Sequence, residues 1–362
     1  MDYSTRILAM LNVDHVGTFS EGIAPVFQKD GVGFIDKTGV SIVPVGTYEN
    51  IDFSSMVHMR YEFRNGLSAV VKDGRCGFIN RVGDIVIPPE YDTVSPFTEG
   101  FAAARFNGKW GFINQFGKPI VPFEYDFVQP FREGLACVHK NKNISFIDVN
   151  GNETINLGNK FIIVNPFHEG VAGVMMGRGK MPEMFPEENE SKKHFLERLK
   201  SAVDEISVNE KWGFIDTAGN IILPLEYSFL SQLYEGIAVS IKNGRRAYID
   251  RFGKNVLEVD FEQTGCFIEG LASIRRDGKY GCIDKSGRLV IAPIYDNDMS
   301  IIFNEGFAPV KRNGKWGYID REGEIVIPFE YDEALPISEG LAVARKNVQW
   351  EIIQVVSQTA SS

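Results

Sequence analysis

The chain has 362 residues, 38 Lys and Arg against 48 Asp and Glu, a formal net charge of −10 and 44% hydrophobic residues. That acidic balance argues against the basic stripe of a nucleic-acid surface and against a polybasic membrane anchor, while the composition is globular rather than disordered. A core of this size needs neither disulfides nor a structural metal, and the four cysteines (Cys76, Cys137, Cys266 and Cys282) lack ligand spacing, so a cytoplasmic protein is expected.

The first predicted element is a strand at Ile7–Asp14, which aligns in register with Ile325–Asp332 near the other end. The stretch around it carries one Arg, is broken by Asn12 and Asp14, and lacks a small-residue cleavage site, so it does not read as a signal peptide. No apolar run approaches the roughly 18 residues of a membrane span.

From Gly22 onward the chain repeats. A glycine, preceded by Glu at eight of nine places, returns at Gly22, Gly66, Gly100, Gly134, Gly170, Gly236, Gly270, Gly306 and Gly340. The underlying period is 34 residues, and one insertion of about 32 residues stands apart. Each unit then carries a second landmark: VGFID at Val32, CGFIN at Cys76, WGFIN at Trp110, ISFID at Ile144, WGFID at Trp212, RAYID at Arg246, YGCID at Tyr280, WGYID at Trp316 and WEIIQ at Trp350. All four tryptophans fall in this column. Between the landmarks lie Asn-Gly or Asp-Gly pairs, such as Asn107-Gly108 and Asn313-Gly314, which accept the positive φ of a type I′ hairpin turn. After the second landmark comes an Asp-x-x-Gly turn, as at Asp36–Gly39 and Asp320–Gly323. A β-branched strand follows, as in IVIPPEYD (Ile85–Asp92), with a proline expected to mark where its pairing stops. A short fourth strand is expected at the YD-x-V-x-P-F segment.

The fifth hairpin carries the insertion, over residues 177–208. It opens with Met181-Pro182-Glu183-Met184-Phe185-Pro186 and is expected to be helical from Glu187 to Ile206, where Phe195, Leu196, Leu199, Ala202, Val203 and Ile206 form an apolar stripe. Either the stripe packs on the repeats, or Met181, Met184, Phe185, Phe195, Leu199 and Val203 form a docking element for a protein partner. Units four and six depart most from the pattern. The chain ends in a hairpin (Gly340–Gln354) without its last strand, and residues 357–362 are expected to form a disordered tail. The N-terminal strand would supply what that hairpin lacks, so residues 1–356 form one repeat domain.

The elements GKWGFIN (Gly108–Asn114) and GKWGYID (Gly314–Asp320), with the EGLA and IVIPPEYD pieces, resemble the bacterial WG-repeat, or KWG-repeat, family. The resemblance covers nearly the whole chain outside the insertion and implies an all-β repeat protein. It carries no catalytic set that could be transferred to this sequence.

The expected fold is nine tandem antiparallel units of about 34 residues and three to four strands each, in a β-propeller-like ring; the alternative is an open β-solenoid. Two residues after each unit's first glycine stands Ala, or Ser68 in the second unit, which suggests a line of close backbone approach. The repeated acids Glu21, Glu99, Glu133, Glu169, Glu235, Glu269, Glu305 and Glu339 are read as satisfying backbone donors, with a cation-binding rim as the alternative. The Asp column is read as turn chemistry. Five histidines (His15, His58, His139, His168 and His194) share no repeat position or metal spacing. Gly177-Arg178-Gly179-Lys180 lacks the rest of a phosphate loop, and no G-x-S-x-G elbow occurs. No catalytic residue, metal or cofactor is therefore expected. The reading is a non-enzymatic protein-interaction scaffold; its rival is a small-molecule or glycan binder, or an enzyme, using an axial pocket of the ring.

Overall fold

The computed structural model describes residues 2–50, 61–177 and 210–358. Its described residues are all strand and turn, folded into nine antiparallel sheets, seven of four strands and two of three. The expected helix at 187–206 and the partner-binding residues Met181, Met184, Phe185, Phe195, Leu199 and Val203 lie outside the described residues. Two compact units result, one of residues 1–124 with 261–362, the other of residues 125–260. The first holds sheets one to three and seven to nine, the second sheets four to six.

Each sheet is a blade of the propeller type. In the third, Thr93–Val94, Phe101–Phe106, Lys109–Asn114 and Pro119–Tyr125 lie side by side in chain order. The short strand therefore opens the sheet of the following hairpin, whereas the sequence reading had placed it as a closing fourth strand. The tips are as expected: Asn107 and Gly108 have φ of 50° and 80°, and Asn313 and Gly314 51° and 79°, the doubly left-handed pair of a type I′ turn.

The ninth sheet joins the two ends of the chain. Asp2–Leu11 pairs antiparallel with Gln349–Gln358, and Ile7 stands opposite Ile353 just as Ile325 stands opposite Ile319. This strand exchange completes the ninth sheet from both ends of the chain. Farther along, the register slips: Trp316 faces Tyr331, but Trp350 faces Leu11 rather than the aligned Val13.

The slip comes from a bulge that the prolines mark. In the eighth sheet Tyr318 pairs with Ile327 and Trp316 with Tyr331, so four steps on one strand oppose two on the other. The strand does not stop at Pro328; it arches over Gly317 and pairs again at Tyr331, which corrects the expectation that proline ends pairing. A Cβ on Gly317 would lie 2.6 Å from the Ile327 carbonyl oxygen, and the same clash awaits Gly33, Gly77, Gly111, Gly213 and Gly281 at 2.4–2.6 Å. Where another residue replaces this glycine, the last strand pairs with it directly: Ser145 with Asn156, Ala247 with Glu258, Glu351 with Met10. The glycine of the WG pair is thus the counterpart of the bulge. In the ninth sheet the room goes to the buried Glu351 carboxylate, which accepts a 3.0 Å bond from the Tyr331 hydroxyl.

Packing between sheets follows from alternation. The Ala column pairs across the hairpin with the isoleucine column, as in Ala102 with Ile113 and Ala308 with Ile319, and both columns are buried. That face packs on the preceding sheet, so Ala102, Ala104 and Ile113 meet Phe78, Ile87 and Tyr91. The opposite face packs on the following sheet: Phe34, Val43 and Tyr48 meet Val70 and Ile79. The close approach expected at the Ala column is this contact between successive sheets.

Candidate functional site

At one end of every sheet the Glu-Gly pair makes a second kind of tight turn. Ser20 and Ile23 exchange backbone hydrogen bonds across Glu21-Gly22, and the two turn residues have φ of 52° and 86°. Eight glutamates hold this left-handed conformation at φ 52–54°, with Asn65 at 55° as the ninth member. A long side chain there costs roughly 1–2 kcal/mol against a right-handed alternative, and Glu, unlike Asn, offers no local hydrogen bond to offset it.

The offset comes from the neighbouring sheet. Six of these carboxylates accept backbone N–H groups of the next sheet's turn. Glu21 accepts from Gly66 at 2.8 Å, Glu133 from Gly170 at 2.9 Å, Glu269 from Gly306 at 2.9 Å and Glu339 from Gly22 at 2.9 Å. Glu305 takes two donors, Glu339 N at 2.7 Å and Gly340 N at 2.8 Å, and Glu169 does the same with Glu235 and Gly236. Bases close some of these joints: Arg81 reaches Glu21 at 2.8 Å and Lys37 reaches Glu339 at 2.9 Å. The acid column therefore satisfies backbone donors, as the sequence reading favoured, and the donors belong to the following sheet. Glu305→Gln is expected to cost about 1 kcal/mol, the strength of a charged hydrogen bond reduced by solvent exposure, read as a lower urea midpoint; an unchanged midpoint would count against the joint.

Eight of the nine sheets also carry an Asp-x-x-Gly or Asn-x-x-Gly turn. The carboxylate of Asp284 accepts from the Ser286 hydroxyl, from the Arg288 guanidinium and from the backbone N–H groups of both residues, which holds its pKa at about 2. Asp36, Asp148 and Asp216 are lowered by the same turn geometry. A depressed folded pKa means stability present above the ordinary carboxylate value of about 3.9 and lost as pH falls through the folded value. The urea midpoint is accordingly expected to fall between about pH 4 and pH 2, and Asp284→Asn to flatten that decline; Asn80 and Asn114 already serve the same turn. Three of these turns present apolar side chains outward: Val82 at 70% exposure, Phe116 at 86% and Phe252 at 69%.

The opposite end of the sheets has its own acid, which the sequence reading passed over. Asp332, following the last strand of the eighth sheet, accepts from Asn347 N at the ninth hairpin tip at 2.8 Å and from Lys315 Nζ at 2.5 Å. Asp296 does this with Asn313 N and Lys279, and Asp92 with Gly108 N and Arg75. The available signal was the recurrence of an acid after Tyr, 15–17 residues before each tip.

Among the described residues no group of three His, Cys, Asp or Glu could hold a metal ion. His168 Nδ1 lies 2.7 Å from the Leu233 carbonyl, and burial lowers the pKa of His139. Cys76, Cys137 and Cys282 are buried free thiols, and burial pushes Cys137 and Cys282 up to about 12, far from a nucleophile's range. Arg246, the charged member of the tryptophan column, is half-buried in a sheet that pairs without the bulge. No described helix is long and apolar enough to cross a membrane.

Comparison with known proteins finds a family described as "WG containing repeat" matching residues 77–110, 110–143, 212–245, 247–280, 280–316 and 316–350. No curated protein matches the chain. Among solved structures, it is similar to Hsv2p of Kluyveromyces lactis, with 8% identity, TM-score 0.38, and 70% of this chain and 89% of that one covered. It is also similar to the Pan2 WD40 domain of Neurospora crassa, with 8% identity, TM-score 0.34, and 98% and 96% covered. A protein of unknown function from Bacteroides caccae shows 12% identity and TM-score 0.28, with 70% and 89% covered.

Proposed function

Because the chain belongs to the WG-repeat family, whose pattern matches more than half of it, we propose that it is a non-enzymatic scaffold that holds a protein partner. The observation that carries this reading is how the turn residues divide their roles. The described Glu and Asp side chains of the repeat columns are committed to backbone amides and neighbouring bases. A catalytic or cation-binding rim would need those carboxylates free. Three of the turns instead hold apolar side chains out to solvent, Val82, Phe116 and Phe252, the kind of surface that binds proteins.

Affinity capture followed by mass spectrometry tests the proposal, with three forms of the chain: intact, Val82→Ser with Phe116→Ser, and one in which residues 179–207 are replaced by an Asn-Gly turn. The expected result is a protein retained in fixed stoichiometry by the intact chain. Loss from the double variant places binding at the turn tips, and loss from the shortened chain places it at Met181, Met184, Phe185, Phe195, Leu199 and Val203. If no form retains a protein, the scaffold reading falls.

A further inference from the structure

One joint in the acid column is unmade. Six glutamates place a carboxylate on the glycine amide of the next turn or on that amide and the one before it, but the second sheet carries Asn65 where the acid belongs. Its side chain makes no hydrogen bond to the third sheet, and the Gly100 N–H has no acceptor among the described residues. The turn itself is normal. Asn65 keeps φ at 55°, Gly100 keeps 86°, and Thr98 and Phe101 exchange the usual bonds.

The surroundings of this seat also depart from the repeat. The base that closes the first joint, Arg81 on Glu21, has Gln115 as its counterpart here. Phe101 pairs with Asn114, and Gln115 and Phe116 follow in the Asn114–Gly117 turn of the same sheet. Leu67 pairs with Asn80, so Val82 occupies the matching turn of the second sheet, and Gly117 packs on Ile87 of that sheet. Phe116 and Val82, two of the most exposed apolar side chains, lie on the outer turns of the two sheets that carry this seat.

We propose that the seam between the second and third sheets binds an acidic segment of a partner protein, whose Glu or Asp carboxylate takes the seat on the Gly100 amide while an adjacent apolar side chain packs between Val82 and Phe116. The other joints define the chemistry. At the joints shown, a carboxylate oxygen sits 2.7–3.2 Å from the turn amide, so a carboxylate fits the vacant seat and a base does not. Gln115 supplies a neutral amide donor in place of the arginine. The proposal rests on the scaffold reading and assigns it a site and a partner chemistry.

The test uses the full chain labelled with 15N-glycine and two blocked tripeptides, acetyl-Leu-Glu-Leu-amide and its Gln counterpart. With the Glu peptide, the Gly100 amide is expected to shift saturably at concentrations up to about 10 mM. The Gln peptide should bind at least about tenfold more weakly, and the Gly306 and Gly340 amides should stay in place under both. Asn65→Glu rebuilds the internal joint. It should raise the thermal midpoint by about 2 °C, move the Gly100 amide to the Gly306-like position and abolish the response to peptide. Phe116→Ser should weaken binding several-fold and leave its dependence on Glu intact. A Gly100 amide unmoved by the Glu peptide, an equal response to both peptides, or full binding by Asn65→Glu would each overturn the proposal. Capture of a protein partner undiminished in Asn65→Glu would overturn this seat and leave the scaffold reading standing.

Discussion

Gly111→Ala is expected to destabilise the chain by about 3 kcal/mol, at the upper end of what one extra methyl costs in a packed core. The added Cβ would stand 2.6 Å from the Val121 carbonyl oxygen, 2.8 Å from the Pro122 oxygen and 2.9 Å from Phe123 Cδ1. Two of those three neighbours are backbone, so relief requires flattening the bulge, and flattening it moves Phe123 and Tyr125 out of register. The informative partner is Ala247→Gly, the reverse exchange at a position that pairs directly with Glu258. There no clash exists to relieve, and the cost should be only the roughly 1 kcal/mol of added chain entropy. Urea unfolding followed by tryptophan fluorescence checks both. A Gly111→Ala variant within about 0.5 kcal/mol of the parent would remove the link between this glycine and the bulge.

Deleting residues 2–11 should have a larger effect. That strand pairs along the whole length of Gln349–Gln358, and Trp350, fully buried behind it, packs with Val16, Phe19, Val343 and Ile352. Trp350→Ala alone is expected to cost about 3–5 kcal/mol. Removing the strand adds a bare ladder edge, and bare edges self-associate. The shortened chain should melt at least about 10 °C lower and elute as aggregate in size-exclusion chromatography, and a synthetic peptide of residues 2–11 should restore part of the loss. A monomeric shortened chain that melts with the parent would show that the ninth sheet does not need its borrowed strand.

Much of this was legible because turn chemistry is local. Asn-Gly tips demand positive φ whatever surrounds them, and so they mark hairpins directly in the sequence. The matching of Ile7 with Ile325 fixed the pairing of the chain ends, since a one-residue slip would have turned the apolar side outward. What escaped lies between sheets. Glu21 and Gly66 are 45 residues apart, and nothing in a periodic column tells whether its acid bonds its own turn or the next. Similarly, the glycine of the WG pair and the proline of the last strand were read as separate signals, although they are two sides of one bulge. The short strand before each hairpin was assigned to the wrong sheet because its two residues carry too little pattern to choose a partner. Asn65 was visible as the one break in the acid column, but its meaning depended on knowing where the other acids go.

The carboxylate joints also bear on how such a chain can change length. A repeat with the Glu-Gly pair carries an acceptor for its successor and a donor for its predecessor, so such a unit duplicated in tandem arrives with both halves of its attachment. Neighbouring units need no compensating substitutions to receive it. A chain assembled this way can gain or lose copies by simple recombination, and a single Glu-to-Asn change is enough to convert an attachment between copies into a vacancy that faces outward.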